Sequence, residues 1–442
     1  MHDLWSHPAR LVPLAFLVVI AAGTAGLMLP AAKAGPGAAP FVVALFTATS
    51  AVSVTGLAVV DTATYWSGFG QVLILVLFQI GGFGIMSTAT LLALLVSRRL
   101  SLSRQLIVQA ETRGIALGDV TSVLRFVVVV TLVVEAVTAL TLAARLHQEG
   151  MGPRDALWHG TFHAVAAFTN AGFSTFSDSM TFFARDPVVL GAIIMAVIIG
   201  GLGLPVLHDL RRGALKPRSW SLHTKLTLIG TALLLPIGCG ATLLYEWNNP
   251  GTLGPLEPVH KLVNALFHSA MARSGGLNSF DLANLTQGNM LVTYALMAIG
   301  GGSAGTAGGI KVTTFLILGL AVWSELRGQP DVSAFGRRIS STVQREALTI
   351  ALIAILVMGL SVLVLRALSD LPLRHLVFEV ISAFANVGLS MGATPELPPA
   401  GQVLLAVLMF VGRVGTITVA TALALRGRKT AFRYPEERPI VG

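Results

Sequence analysis

Four glycines recur along the chain in one local context. They are Gly56 in FTATSAVSVTGL (46–57), Gly172 in HAVAAFTNAGFS (163–174), Gly276 in FHSAMARSGGLNS (267–279) and Gly388 in FEVISAFANVGLS (378–390), with successive separations of 116, 104 and 112 residues. Each follows largely small and apolar residues and precedes Leu or Phe. No ring of carboxylates accompanies them, so the chemistry on offer is that of the backbone. Glycine adopts positive φ freely, which lets a turn aim successive carbonyl oxygens one way. Four such turns meeting on an axis would stack rings of oxygen, and rings of that kind replace the hydration shell of a permeating cation. Half-helices entering the turns would direct their negative carboxyl ends at the same axis, which also favours cations.

Such turns need an apolar scaffold, and the composition supplies one. The 442 residues are 54% hydrophobic and 12% charged, with a mean hydropathy of +0.77, where a soluble domain carries about 25% charged residues. The chain is therefore read as a polytopic membrane protein. Its single cysteine, Cys239, excludes an intrachain disulfide. A spanning helix needs roughly 20 apolar residues, and eight segments qualify: 11–29, 69–96, 126–144, 188–207, 226–245, 288–310, 347–365 and 401–425. The first lacks a suitable A-x-A cleavage site and reads as a retained span.

Each glycine turn lies in a long, half-polar connection (30–68, 145–187, 246–287, 366–400), whereas the other connections are short and basic. The amino terminus and segments 97–125, 208–225, 311–345 and 426–442 hold 21 of the 30 Lys and Arg. The long connections hold eight basic and eleven acidic residues. With eight spans every basic segment falls on one side, which the positive-inside bias makes cytoplasmic together with both termini. Counting 38–60 as a ninth span would break that pattern, so the glycine stretches are read as entering the membrane and turning back. The net charge of +9 follows from the same asymmetry and points to orientation and anionic lipid rather than nucleic acid. A glycine-bearing helix follows each turn: QIGGFG (79–84), IIGGLG (198–203), AIGGGSAG (298–305) and FVGRVG (410–415). The unit is helix, half-helix, glycine turn, helix, four times over, which divides the chain at 1–96, 97–210, 211–325 and 326–442. The expected fold is an all-α membrane protein of four tandem helix–pore loop–helix units about a pseudo-fourfold pore.

The stretch GGGSAGTAGG (300–309) places six glycines where a spanning helix is due. Each costs about 1 kcal/mol relative to Ala in a helix, so an irregular loop is expected, with close small-residue helix packing as the alternative. The G-x-G-x-x-G at Gly300, Gly302 and Gly305 lacks the strand and acidic residue of a dinucleotide fold. Arg413 is the most anomalous charge, mid-helix at roughly 2.5–3.5 kcal/mol unless it faces protein or water; carbonyls freed by 300–309 are its expected partners. Arg273, three residues before Gly276, is expected to turn outward to a carboxylate such as Glu379 or Asp281. Glu135 reads as an interhelical hydrogen bond or as a proton or Na⁺ site, and His163 and His268 as pore-helix packing.

SVTGL, TNAGF and ANVGLS are close to the filter segments of the Trk/Ktr/HKT potassium transporters, and RSGGLNS looks like a variant of the third. GGSAGTAGGIKVTTF (301–315) resembles that family's interrupted helix in the third unit, and GRVGTIT (412–418) its arginine-bearing last helix. The resemblance spans residues 10 to 425 and lies nearest the KtrB-type membrane subunits, since the chain starts directly with the first helix of the first unit. It implies a selectivity filter at Val54, Thr55, Gly56, Asn170, Ala171, Gly172, Ser274, Gly275, Gly276, Asn386, Val387 and Gly388, with K⁺ held at the four glycines. It implies an intramembrane gate at Gly300, Gly301, Gly302, Ser303, Ala304, Gly305, Thr306, Ala307, Gly308, Gly309 and Lys311, with Arg413 beside it. Glycine at all four filter positions goes with potassium selectivity in that family. The implied activity is potassium uptake across the cytoplasmic membrane, with K⁺ as permeant ion, Na⁺ a candidate activator and no organic cofactor. The implied partners are a second copy in a homodimer, a KtrA-like nucleotide-binding ring on the cytoplasmic side and membrane lipid. The other classes are an ion-coupled transporter with alternating access, which usually has inverted or two-fold repeats, and an intramembrane enzyme, for which paired catalytic residues are lacking.

Overall fold

The computed structural model describes residues 8–98, 120–214 and 216–425; the basic stretches 99–119 and 426–442 lie outside them. The described chain is built almost wholly of helices in four successive sets. The first comprises α1 (Pro8–Leu27), α2 (Phe41–Val52) and α3 (Gly68–Arg98). The second comprises α4 (Val120–Gln148), α5 (Pro153–Thr169), α6 (Pro187–Leu202) and α7 (Leu204–Gly213). Next come α8 (Leu222–Glu246), α9 (Pro258–Ala270), α10 (Gln287–Ala298) and α11 (Val312–Leu326). A two-residue hairpin, β1 (Ser333–Ala334) with β2 (Arg337–Arg338), leads to α12 (Ser341–Leu368), α13 (Leu373–Phe384) and α14 (Pro399–Leu425).

Helix starts follow side-chain caps. Asp186 accepts from the amides of Val188 and Val189 at the head of α6, and Ser221, Thr286 and Ser340 cap α8, α10 and α12. Such caps are worth about 1 kcal/mol each. Asp186 also takes Arg145 Nε at 2.7 Å, which ties the end of α4 to the start of α6. Contacts link the sets: α3 packs on α4 and α5, α6 on α9, α10 on α13, and α14 on α1 and α2.

Three described helices are individually long and apolar enough to cross a membrane, Arg125–Gln148, Leu222–Glu246 and Ser341–Leu368. Two expected spans are broken. The segment 288–310 ends as helix at Ala298 and resumes only at Val312, as its glycines suggested. The segment 188–207, read as continuous, bends by 98° between α6 and α7 at Gly203. Gly203 has φ +90°, and Pro205 suits the first turn of the new helix.

Glycines let a later helix of a set come close to the short helix that precedes the recurring glycine. A Cβ on Gly81, Gly200 or Gly412 would overlap the carbonyl oxygen of Val52, Phe168 or Phe384 respectively. Those oxygens each stand four residues before a recurring glycine. Gly412→Ala is therefore expected to cost about 1–3 kcal/mol by overpacking. Gly240→Ala, at an exposed helical site with open space for a Cβ, is expected to be neutral or slightly stabilising. Melting temperature of the purified variants checks both, and equal Tm values would refute the close-approach reading.

Candidate functional site

The four recurring glycines meet. A Cβ on Gly172 would stand 2.9 Å from Thr55 O, 3.1 Å from Gly276 Cα and 3.2 Å from Gly56 Cα, and one on Gly388 would stand 3.3 Å from Gly276 Cα and overlap Thr55 O. Gly56 borders Gly172, Gly172 borders Gly276, Gly276 borders Gly388, and Gly388 borders the first turn, a cyclic order that matches the chain. All four take positive φ: 94°, 66°, 69° and 92° in sequence order.

The turns share further detail that the sequence did not signal. Two residues before the glycine, Val54, Asn170 and Asn386 also take positive φ, of 54°, 61° and 50°. One residue before it, Thr55 N, Ala171 N and Val387 N donate to the carbonyls of Ser50, Ala166 and Ser382, five residues back. This wide closure ends the helix before each of these three glycines and frees the backbone beyond it to turn. The third turn departs from the pattern. Residues Met271–Gly275 form a π-helical turn, Ser274 has φ 157°, and it is Gly276 N that reaches five residues back to Met271 O at 3.3 Å. Among the described residues, side chains brace the amides of the first and fourth glycines, with Ser50 Oγ and Ser382 Oγ accepting from Gly56 N and Gly388 N at 3.0 and 3.1 Å. Asn386 Nδ2 joins these two turns, donating to Thr55 Oγ1 at 2.8 Å and to Met409 O at 2.9 Å.

Buried polar groups hold the segments beyond the turns. Glu379, fully buried, accepts from Ser390 Oγ, Thr394 Oγ1 and Met391 N at 2.6, 2.6 and 3.1 Å. His163 occupies the matching register in the second set, with Nε2 3.0 Å from Ser174 Oγ and its ring stacked on Phe176. Its packing role thus includes a bond that fixes the turn. His268 Nε2 lies 2.9 Å from Thr293 Oγ1. At the outer end, Asp61 accepts from Ser177 Oγ at 2.6 Å and links the first two sets. Burial opposes the charge on Asp61, but hydrogen bonds from Ser177, Thr64 and Ala63 together outweigh it and hold the carboxyl below its ordinary value. Glu135 accepts from Gln79 Nε2 at 3.0 and 3.1 Å, an interhelical bond between α3 and α4.

Residues 299–311 form an irregular loop packed directly behind the turns. Its two ends pair, Gly300 N to Ile310 O at 2.9 Å and Val312 N to Gly301 O at 3.0 Å. Its body docks on the second set through Gly302 N to Gly201 O, Thr306 N to Gly200 O and Thr306 Oγ1 to Phe168 O. Gly308 N donates to Ser274 Oγ at 3.0 Å, and a Cβ on Gly308 would overlap Ala385 O. The loop thereby touches residues just before three of the four glycines. The α6–α7 break is its counterpart: Leu204 N donates to Ala304 O, and a Cβ on Gly203 would stand 2.5 Å from Ser303 O.

Two expected partners are corrected. Arg413 is buried, but it makes no hydrogen bond to 300–309, and its Nε and Nη2 have no partner. Lys311 takes that place, donating from Nζ to Ala307 O at 2.6 Å. Lys311 sits at the loop's own end, so its flexible stem reaches those carbonyls. Arg273 reaches neither Glu379, which is fully engaged, nor Asp281, which caps Ala283 N and binds Asn284 Nδ2. It turns inward instead, with Nη2 3.4 Å from both Thr231 Oγ1 and Gly300 O. Lys311→Met is expected to speed amide exchange across 300–309 about tenfold, the equivalent of one lost charge-assisted bond. Hydrogen exchange by mass spectrometry reads this, and unchanged protection would show that Lys311 does not hold the loop.

A family model described as TrkH, cation transport protein, matches residues 12–429. The Ktr system potassium uptake protein B of Bacillus subtilis is 37% identical over 98% of this chain and 97% of its own length. Its namesake from Vibrio alginolyticus is 37% identical over 98% and 94%. The potassium/sodium uptake protein NtpJ of Enterococcus hirae is 32% identical over 98% and 97%. Among solved structures, the potassium transporter TrkH from Vibrio parahaemolyticus superposes with a TM-score of 0.75 at 18% identity, covering 95% of this chain and 85% of that one.

Proposed function

The chain belongs to the TrkH family of cation transport proteins, and from that premise we propose that it takes up K⁺ through a pseudo-fourfold pore whose filter is formed by the turns at Gly56, Gly172, Gly276 and Gly388. The observation that carries this reading is the cyclic meeting of the four glycines, all at positive φ, from four helix sets that close into a ring. Carbonyl oxygens of residues 54–56, 170–172, 274–276 and 386–388 then supply the ion's coordination. Each pore helix points its carboxyl end toward them and adds a favourable dipole for a cation.

The loop 300–309 serves as the gate in this reading. It is anchored on the second, third and fourth sets at once, so it lies across the cytoplasmic side of the filter rather than beside one helix. Lys311 ties it shut by donating to the loop carbonyls of Ala307 and Gly308. A difference of a few kcal/mol between two loop positions suffices for control. A cytoplasmic nucleotide-binding ring and a second copy of the chain are the partners the family resemblance suggests, and Na⁺ the candidate activator. The spans and basic segments support insertion in the cytoplasmic membrane with both termini inside.

Flux into liposomes with K⁺, Rb⁺, Na⁺ and Li⁺ in turn tests the assignment: saturable exchange that strictly requires a second solute gradient would favour coupled transport. Gly56→Ser is expected to reduce K⁺ over Na⁺ preference several-fold, since a side chain at φ +94° strains a turn already against Gly172. An unchanged ion preference in the folded variant would remove residue 56 from the filter. Deleting Ser303 to Gly308 is expected to raise K⁺ flux per folded molecule while the ion preference holds. Reduced flux from well-folded protein would leave the segment a packing element.

A further inference from the structure

Behind the third turn lies a cavity of about 30 Å³, lined by Asn170, Thr231, Arg273, Ser274, Gly301 and Ala307 among others. The rest of the lining is mainly apolar, from Val197, Ile198, Leu202, Leu235 and Ala270, and a cavity of that size holds one water or one ion where polar groups face it. Arg273 is 7% exposed, and its Nε has no hydrogen-bond partner. Its two contacts, through Nη2 to Thr231 Oγ1 and Gly300 O, are both long at 3.4 Å. Among the described residues no carboxylate pairs with it: Glu379 is fully engaged by Ser390, Thr394 and Met391 N, and Asp281 by Ala283 N and Asn284. A guanidinium held away from water in this way lacks a counter-charge.

The neighbouring groups define what could supply it. Thr231 Oγ1 already accepts from Arg273, and Ser274 Oγ already accepts from Gly308 N at 3.0 Å, so each hydroxyl has its proton left to donate. The Asn170 amide, turned to its satisfied orientation, spends its Nδ2 on Val197 O and Ala167 O. The side chains around the cavity thus offer one charged and two neutral donors. We propose that this cavity binds a monovalent anion of halide size, chloride under physiological conditions, through Arg273 Nε, Thr231 Oγ1 and Ser274 Oγ. The anion neutralises Arg273 three residues before Gly276, and it also abuts Gly301 of the loop. If the pore reading of the turns holds, this removes a repulsion on cations at the third glycine, but the binding site itself does not depend on that reading.

The test uses full-length protein in detergent or nanodiscs and reads binding, not flux. Melting temperature is measured in chloride, bromide and gluconate at equal ionic strength, and bromide is located by anomalous diffraction. A saturable rise in Tm with either halide and a bromide peak against Arg273 Nε are expected. Arg273→Gln should abolish both. Thr231→Val keeps the charge and the volume, and should weaken halide binding about tenfold, the loss of one hydrogen bond to an ion. It serves if the arginine variant does not fold. Equal Tm values in the three salts with no bromide peak in the cavity would overturn the proposal and leave a water there. Unchanged halide affinity in Thr231→Val would overturn the donor set.

Discussion

Backbone polar groups inside a membrane must find partners within the protein, at a cost of several kcal/mol for each that does not. Every unusual feature of this structure follows from meeting that constraint at four places where the chain stops being helical at depth. The helices before the first, second and fourth glycines end by a closure to the fifth residue back, which satisfies the amide just before the glycine, and in the third set Gly276 N makes that closure itself. The carbonyls left over at Val52, Phe168 and Phe384 are shielded by second helices that come close enough only because Gly81, Gly200 and Gly412 have no side chain. Serine hydroxyls complete the first and fourth turns. The glycines between them are held against one another, each set supporting the next.

The loop 300–309 and the bend at Gly203 solve the same problem jointly. Opening a helix in the third set frees backbone groups across 299–311, which the loop's own mostly small side chains satisfy only in part. The second set supplies the partners, through Gly200 O, Gly201 O and Leu204 N, and it can do so only by breaking its own helix. The two irregularities are one device. The loop is held largely by hydrogen bonds to a neighbouring backbone, by the Thr306 hydroxyl and by one lysine, and a segment held in that way opens locally at lower cost than a packed helix.

Much of this is legible in the sequence because it rests on glycine and on hydrophobic length. The recurring glycines, the short helices before them and the interruption after Ala298 can be read directly, since an apolar run of span length studded with glycine is too costly to keep as one regular helix. The break at Gly203 is hidden. The run 188–207 has the length and apolarity of a span, and the Gly203, Leu204, Pro205 triplet that ends the helix sits inside that apolar run rather than at a polar boundary. The partners of Arg273 and Arg413 are also beyond reach. Which buried cation meets which carbonyl depends on how far a side chain extends from a helix end that the sequence does not locate. Lys311, placed at the loop's exit, wins over Arg413 on that ground alone.

The four sets are equal in topology and unequal in detail, and the inequality has a pattern. The first and fourth turns are joined by Asn386 and braced by serines, whereas Ala166 and Ala270 stand at the serine positions of the second and third. Beyond the turns, Glu379 and His163 do equivalent work with a carboxylate and an imidazole, while Phe267 in that register leaves the third turn without such a tie. The third turn is also the one that contacts the loop through Ser274 and carries Arg273 against Gly300 O. Rigidity is thus concentrated on one side of the ring, and the least braced turn is the one bonded to the least helical segment. A displacement of the loop would be felt first at Gly276, because Ser274 and Arg273 connect them without an intervening helix. The cavity beside Arg273 lies at that junction, lined by Ser274 of the turn and Gly301 of the loop.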